Sequence, residues 1–86
     1  MDIRRLVGGN VRRCREAVGL SQEDLAARMG VDQGYVSKLE AGARNPTIVT
    51  VWHAAEALKV HPSVLFQPEE AAKKAGPKAK VGKRGR

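Results

Sequence analysis

Apolar residues recur along most of this chain at intervals of three and four, the spacing of one face of an α-helix. Ile3, Leu6, Val7, Val11, Cys14 and Val18 make the first such stripe. Gly8 and Gly9 fall inside it, and each glycine costs a helix interior about 1 kcal/mol. The first helix is therefore expected either to kink at this pair or to start only near Gly9, and to end at Gly19. Ser21 then supplies an N-cap, with Asp24 at the capping-box position and acids in the first turn. Leu25, Ala26 and Met29 form the inner face of a short second helix, closed by Gly30. One or two residues later Asp32 caps a third helix, with Val36 and Leu39 inward and Gly42 as its stop. Asn45-Pro46-Thr47 reads as a turn. Thr47 caps a fourth helix carrying Ile48, Val51, Ala54, Ala55 and Leu58. His61-Pro62 opens a last short helix, proline being favoured at the first position, and Val64, Leu65 and Phe66 follow. The β-branched run from Thr47 to Val51 shows no alternation, so no strand is expected. The pattern predicts an all-α fold of five short helices.

Composition narrows this picture. With 86 residues the chain holds one small domain, too small for a deep cleft between domains. Aromatics are 3% of it, namely Trp52, Tyr35 and Phe66, which suits an aliphatic helical core better than a sheet. The net charge of +7 is the electrostatic footprint of a nucleic-acid binder, although basic proteins of other classes share it. The charge is unevenly placed. Residues 1–68 carry nine Lys/Arg against seven acids, whereas 69–86 carry seven against two. The stretch from Pro68, PEEAAKKAGPKAKVGKRGR, has one strongly apolar residue, Val81. It cannot bury enough surface to offset its ordering entropy. The expected division is a folded domain over 1–68 and a basic, disordered tail over 69–86. Glu69 to Lys74 extend a helix at most by a turn before Gly76-Pro77.

The single cysteine, Cys14, excludes an internal disulfide. No apolar run is long enough to span a membrane, and Leu6-Val7 before Gly8-Gly9 is too short for a signal peptide. The simplest expectation is a cytoplasmic protein acting at the nucleoid. Cys14, His53 and His61 match no zinc spacing, so no metal or cofactor is expected. Cys14 reads as a small core residue. Ser21 lacks a His–Asp pair and reads as a helix cap, not a nucleophile. No enzyme is expected.

Gln22 to Glu40 meets the demands of a helix-turn-helix. Ala26 is small where the two helices cross, Gly30 sits in the turn, and Leu25, Val31, Val36 and Leu39 supply shared apolar contacts. The segment GLSQEDLAARMGVDQGYVSKLEAGARNPT resembles the lambda-repressor/Cro-like (XRE) helix-turn-helix family. The likeness runs from about Val7 to Phe66, with Val11-Arg12 and Arg15 in the first helix and ALKVHPSVLF at the end. It implies a five-helix DNA-binding domain, usually dimeric, whose third helix enters the major groove. Three features depart from the family pattern: Gly34 stands where a base-reading side chain is common, Trp52 is large for its place, and the tail after Pro68 matches nothing.

In that docking geometry the first turns of the third helix face base edges. Gln33, Gly34, Ser37 and Lys38 are the candidate base-contacting residues. Gln33 suits adenine and Lys38 suits guanine O6/N7. Gly34 either lets the backbone approach closely or leaves a base unread. Gln22, Tyr35, Arg44 and Asn45 are the candidate phosphate contacts, with Gln22 braced against Gln33. A partly buried ring is the plainer reading of Tyr35. The resemblance makes Arg15 and Glu40 a structural ion pair. Arg12 and Arg13 lie on the outer side of the first helix, facing either phosphate or solvent. Val64, Leu65 and Phe66 are the candidate homodimer interface, since so small a domain leaves apolar surface uncovered. In the alternative, Leu65 and Phe66 cap the core beneath Trp52.

These residues point to a sequence-specific regulator of transcription that binds double-stranded DNA as a homodimer and represses by occupying an operator. The basic tail either adds a nonspecific arm or only solubilises. Two other readings fit less well: an antitoxin-type protein-interaction module, and a low-specificity nucleoid or coactivator-like DNA binder, toward which Gly34 and the tail lean.

Overall fold

The computed structural model describes residues 1–68. The basic tail expected over 69–86 lies outside the described residues. Four α-helices occupy the chain in order: α1 (Ile3–Ala17), α2 (Gln22–Met29), α3 (Gln33–Glu40) and α4 (Ile48–Leu58). A 3-10 helix over Pro62–Phe66 takes the place of the fifth. No strand occurs among the described residues, and no helix there is long and apolar enough to cross a membrane.

The helix ends follow local side-chain chemistry. The Ser21 hydroxyl accepts from the Asp24 N–H while the Asp24 carboxylate accepts from the Ser21 N–H, both at 2.9 Å. This reciprocal pair satisfies two donors that a helix start leaves without backbone partners. It also holds the Asp24 carboxyl below its ordinary range, the Ser21 backbone bond being the main cause. Asp32 and Thr47 accept from the N–H groups of Tyr35 and Thr50 in the same way. Gly30 takes the left-handed conformation that closes α2. At the 3-10 helix the cap is the His61 ring, whose Nδ1 accepts from the Ser63 N–H at 3.1 Å.

The glycine pair near the start of α1 does not delay the helix, which runs unbroken through both. Packing reverses the propensity argument at Gly8. A Cβ there would overlap the carbonyl oxygen of Leu39 and crowd that of Glu40. Gly8 is therefore the point at which α1 crosses the end of α3 backbone to backbone.

Val7, Val11 and Cys14 of α1 meet Leu25, Ala26, Val36 and Leu39 of the helix-turn-helix and Val51, Ala54, Ala55 and Leu58 of α4 in one core. Burial pushes the Cys14 thiol up, which lowers its thiolate fraction and hence its reactivity. Leu65 is wholly buried in this core. That corrects its assignment to a dimer interface: a side chain with no exposed surface has none to offer a second copy. Val64 is half-buried against the core, and only Phe66 of the three points outward. The buried Asn10 amide donates to the carbonyls of Leu65 and Gln67, each at 2.9 Å, tying the end of the described chain to the middle of α1.

Candidate nucleic-acid interface

Helix α3 is amphipathic over only eight residues. Val36 and Leu39 point into the core; Gln33, Gly34, Ser37 and Lys38 are exposed on the opposite side. Tyr35 is half-buried, and the Arg44 guanidinium lies 4.5 Å from its ring centroid. Such a cation–π contact holds the loop cation beside the helix. An open concavity of about 660 Å³ runs along this face from Gly30 and Asp32 past Gly34 to Lys38 and Arg44. Asn45 is exposed on the same loop.

Gly34 does not owe its identity to the fold. Its backbone is not in the left-handed region, and a Cβ would meet only the Asp32 carboxylate, at 3.4 Å, an ordinary contact. A side chain fits there, so its absence leaves an open notch between Gln33 and Lys38.

The first turn of α3 is tethered to the rest of the molecule by a chain of polar contacts. Gln33 Nε2 donates to Gln22 Oε1 at 2.7 Å. Gln22 Nε2 donates in turn to Glu40 Oε1 at 3.0 Å. Glu40 also accepts two bonds from Arg15, 2.6 Å from Nε and 3.1 Å from Nη2. A third Arg15 nitrogen donates to the Leu20 carbonyl at 2.8 Å. The Glu40 side chain is only 4% exposed, so this bidentate pair is desolvated and held by its hydrogen bonds. The pair keeps the Arg15 guanidinium above its already high range, with the Glu40 hydrogen bond as the leading cause. The end of α3 is thus joined to α1 directly through Glu40 and Arg15, and its first turn is joined to that pair through Gln22 at the start of α2.

The expected residues therefore gather in two places. Gln22, Gln33, Gly34, Tyr35, Ser37, Lys38, Arg44 and Asn45 share the polar surface of α3 and its flanks, and Arg15 with Glu40 lies behind it. Arg12 is turned toward Glu16, 3.1 Å away, and Arg13 donates to Asn10. Phe66 lies elsewhere, 45% exposed beside Ile48 and Trp52, which are 84% and 48% exposed. Ile48, Trp52 and Phe66 line a shared cavity of about 280 Å³. Ile48 was absent from the expected interface because helical periodicity assigned it to the buried face of α4; it stands at the first position, before that face turns inward. Among the described residues no cluster of three or more His, Cys, Asp or Glu is placed to hold a metal ion.

Three comparisons set this geometry among known proteins. The helix-turn-helix family model matches residues 11–65. The uncharacterized HTH-type transcriptional regulator y4dJ of Sinorhizobium fredii is 47% identical over 70 residues, covering 81% of this chain and 91% of that protein. The restriction-modification controller protein C.AhdI of Aeromonas hydrophila superimposes with a TM-score of 0.71 at 41% identity, covering 73% of this chain and 96% of that one. The controller protein C.Esp1396I, solved as a tetramer with its natural 35-base-pair operator, is similar at 30% identity and a TM-score of 0.71, over 86% of this chain and 93% of that one. The capped and braced α2–α3 pair, the whole-domain match and these relatives agree: this chain belongs to the XRE-type helix-turn-helix family of transcriptional regulators.

Proposed function

We propose that this regulator acts as a homodimer on a two-fold operator, placing α3 of each copy in a major groove and repressing transcription by occupancy. The observation that carries this reading is the braced first turn of α3. Gln33 projects from an exposed helix face, yet its amide is fixed through Gln22 and Glu40 to α1. A side chain ordered before it meets a base edge loses less rotamer entropy on binding. Gln33 then reads adenine and Lys38 guanine, with Ser37 at the rim, while Gly34 admits close approach of the helix. Gln22, Tyr35, Arg44 and Asn45 contact phosphates and set register. The solved complex of C.Esp1396I with its operator supports the choice of ligand. Phe66, with Ile48 and Trp52, forms the face that meets the second copy, and DNA as target places the protein in the cytoplasm. No step in this reading involves catalysis.

Equilibrium competition tests it. A site recovered by selection from random DNA is titrated against bulk random duplex. A preference of about a thousandfold or more is expected of a specific regulator. A ratio near one overturns operator recognition and favours the low-specificity reading, for which the notch at Gly34 is the motivating feature.

A further inference from the structure

One side of α1 meets the end of α3 and the start of its trailing loop at three points. Arg15 reaches Glu40, Gly8 crosses the carbonyls of Leu39 and Glu40, and one turn earlier the stem of Arg5 lies across Gly42. That last approach is close. A Cβ on Gly42 would stand 2.6 Å from Arg5 Cγ and 3.2 Å from Arg5 Cα, and Gly42 sits at φ +77°. The loop leaving α3 is therefore pressed beneath the first turn of α1. The same loop carries Arg44 and Asn45, and Arg4 and Asn45 line one shallow cavity, which sets that first turn beside Asn45.

The arginines of α1 are not equivalent. Arg4 lies 3.5 Å from the Asp2 carboxylate and Arg12 lies 3.1 Å from that of Glu16. Arg13 donates to Asn10, and Arg15 is held by Glu40. Among the described residues, Arg5 is the one arginine of α1 whose guanidinium has neither an acidic nor a hydrogen-bonding partner. Its aliphatic stem is positioned by packing while its head remains exposed, beside a loop already assigned to phosphate.

We propose that Arg5 is a further phosphate-contacting residue, which extends the DNA footprint from the α3–α4 loop onto the first turn of α1. The inference rests on the DNA-binding reading above. A guanidinium at this place forms charge-assisted bonds to a phosphate and fixes register without reading sequence.

The test measures binding of the full chain to one duplex of fixed sequence across a salt series. Each phosphate neutralised contributes about −0.9 to the slope of log affinity against log salt. Arg5→Gln keeps the Cβ and Cγ that lie on Gly42. The bound homodimer carries two copies of Arg5, so the change is expected to reduce the slope by about 1.8 and to weaken binding about thirtyfold near 0.15 M salt, by the same relation. Arg5→Lys is expected to keep the slope. Arg28→Gln, the same change of charge at the end of α2 where Arg28 donates to the Ala57 carbonyl, is expected to leave it nearly unchanged. A wild-type slope in Arg5→Gln overturns the inference, as does an equal loss in Arg28→Gln. Thermal unfolding separates contact from fold: a lower midpoint with an unchanged slope also overturns it. If the wild-type chain fails to bind duplex at all, the proposed function falls with it.

Discussion

Two exposed surfaces of this small domain are built on opposite principles. The α3 face is polar, and its leading side chain is fixed by hydrogen bonds running from Gln33 through Gln22 and Glu40 to Arg15. The surface of Ile48, Trp52 and Phe66 is apolar, and nothing within the described protomer covers it. The first surface is ordered in advance for a ligand whose polar edges demand placement. The second offers area without direction, which on the proposed reading a second copy covers by burial alone. Damage to the two should therefore look different: the polar face loses discrimination, the apolar face loses assembly.

The anchor of the polar face gives the largest expected effect. Glu40→Ala leaves the Arg15 guanidinium buried without its partner and is expected to cost about 3–5 kcal/mol of stability, read by denaturant unfolding. The double change Arg15→Met with Glu40→Leu is expected to lose much less stability, while loosening Gln33 and lowering operator preference. If the double variant keeps full preference, the brace is not what orders the reader.

The apolar face comes next. Phe66→Glu places a charge on the surface assigned to the second copy while leaving Leu65 in the core. Sedimentation is expected to show a monomer, with operator affinity about a hundredfold weaker through lost avidity. A dimer that persists in both Phe66→Glu and Trp52→Glu moves the interface elsewhere. A smaller change is expected from Gln33→Ala: about 1–3 kcal/mol of discrimination at one position of each half-site, with affinity for random DNA almost unaltered. Loss of affinity on every sequence alike would make Gln33 a phosphate contact instead.

The smallest effect concerns the cap that starts α2. The folded carboxyl of Asp24 is held below its unfolded range, so its contribution is present above the unfolded value and fades as pH falls through the folded one. Asp24→Asn is expected to be less stable than wild type at neutral pH, with the gap closing as pH falls below the ordinary carboxylate range of about 4. A gap that does not change with pH would assign the effect to packing.

How much of this was legible depends on whether the cause is local. Ser21, Asp32 and Thr47 are readable as caps because the acceptor and its N–H lie three residues apart, and Gly30 and Gly42 mark turns that need a positive φ. The core stripes of α2, α3 and α4 follow from periodicity in the same way. Causes that act across the chain are harder to read. Gly8 looks like a helix breaker until α3 is laid across it. Asn10 looks like an ordinary helix polar residue, yet it holds the carbonyls of residues 55 and 57 positions away. Leu65 and Phe66 are adjacent and equally apolar, and only the docking of the 3-10 helix decides that one enters the core and the other does not. Within the candidate site, the resemblance supplied the pairing of Arg15 with Glu40, and the join from Gln22 to Glu40 emerged only from the fold.

In the proposed complex, α3 reads bases from a two-fold pair of these domains. Selection of binding sites from random DNA by the full chain tests it most directly. The predicted result is an inverted repeat whose half-sites lie about 34 Å apart, one turn of the duplex. Recovered pools without a shared sequence, or with a single unpaired half-site, would contradict it.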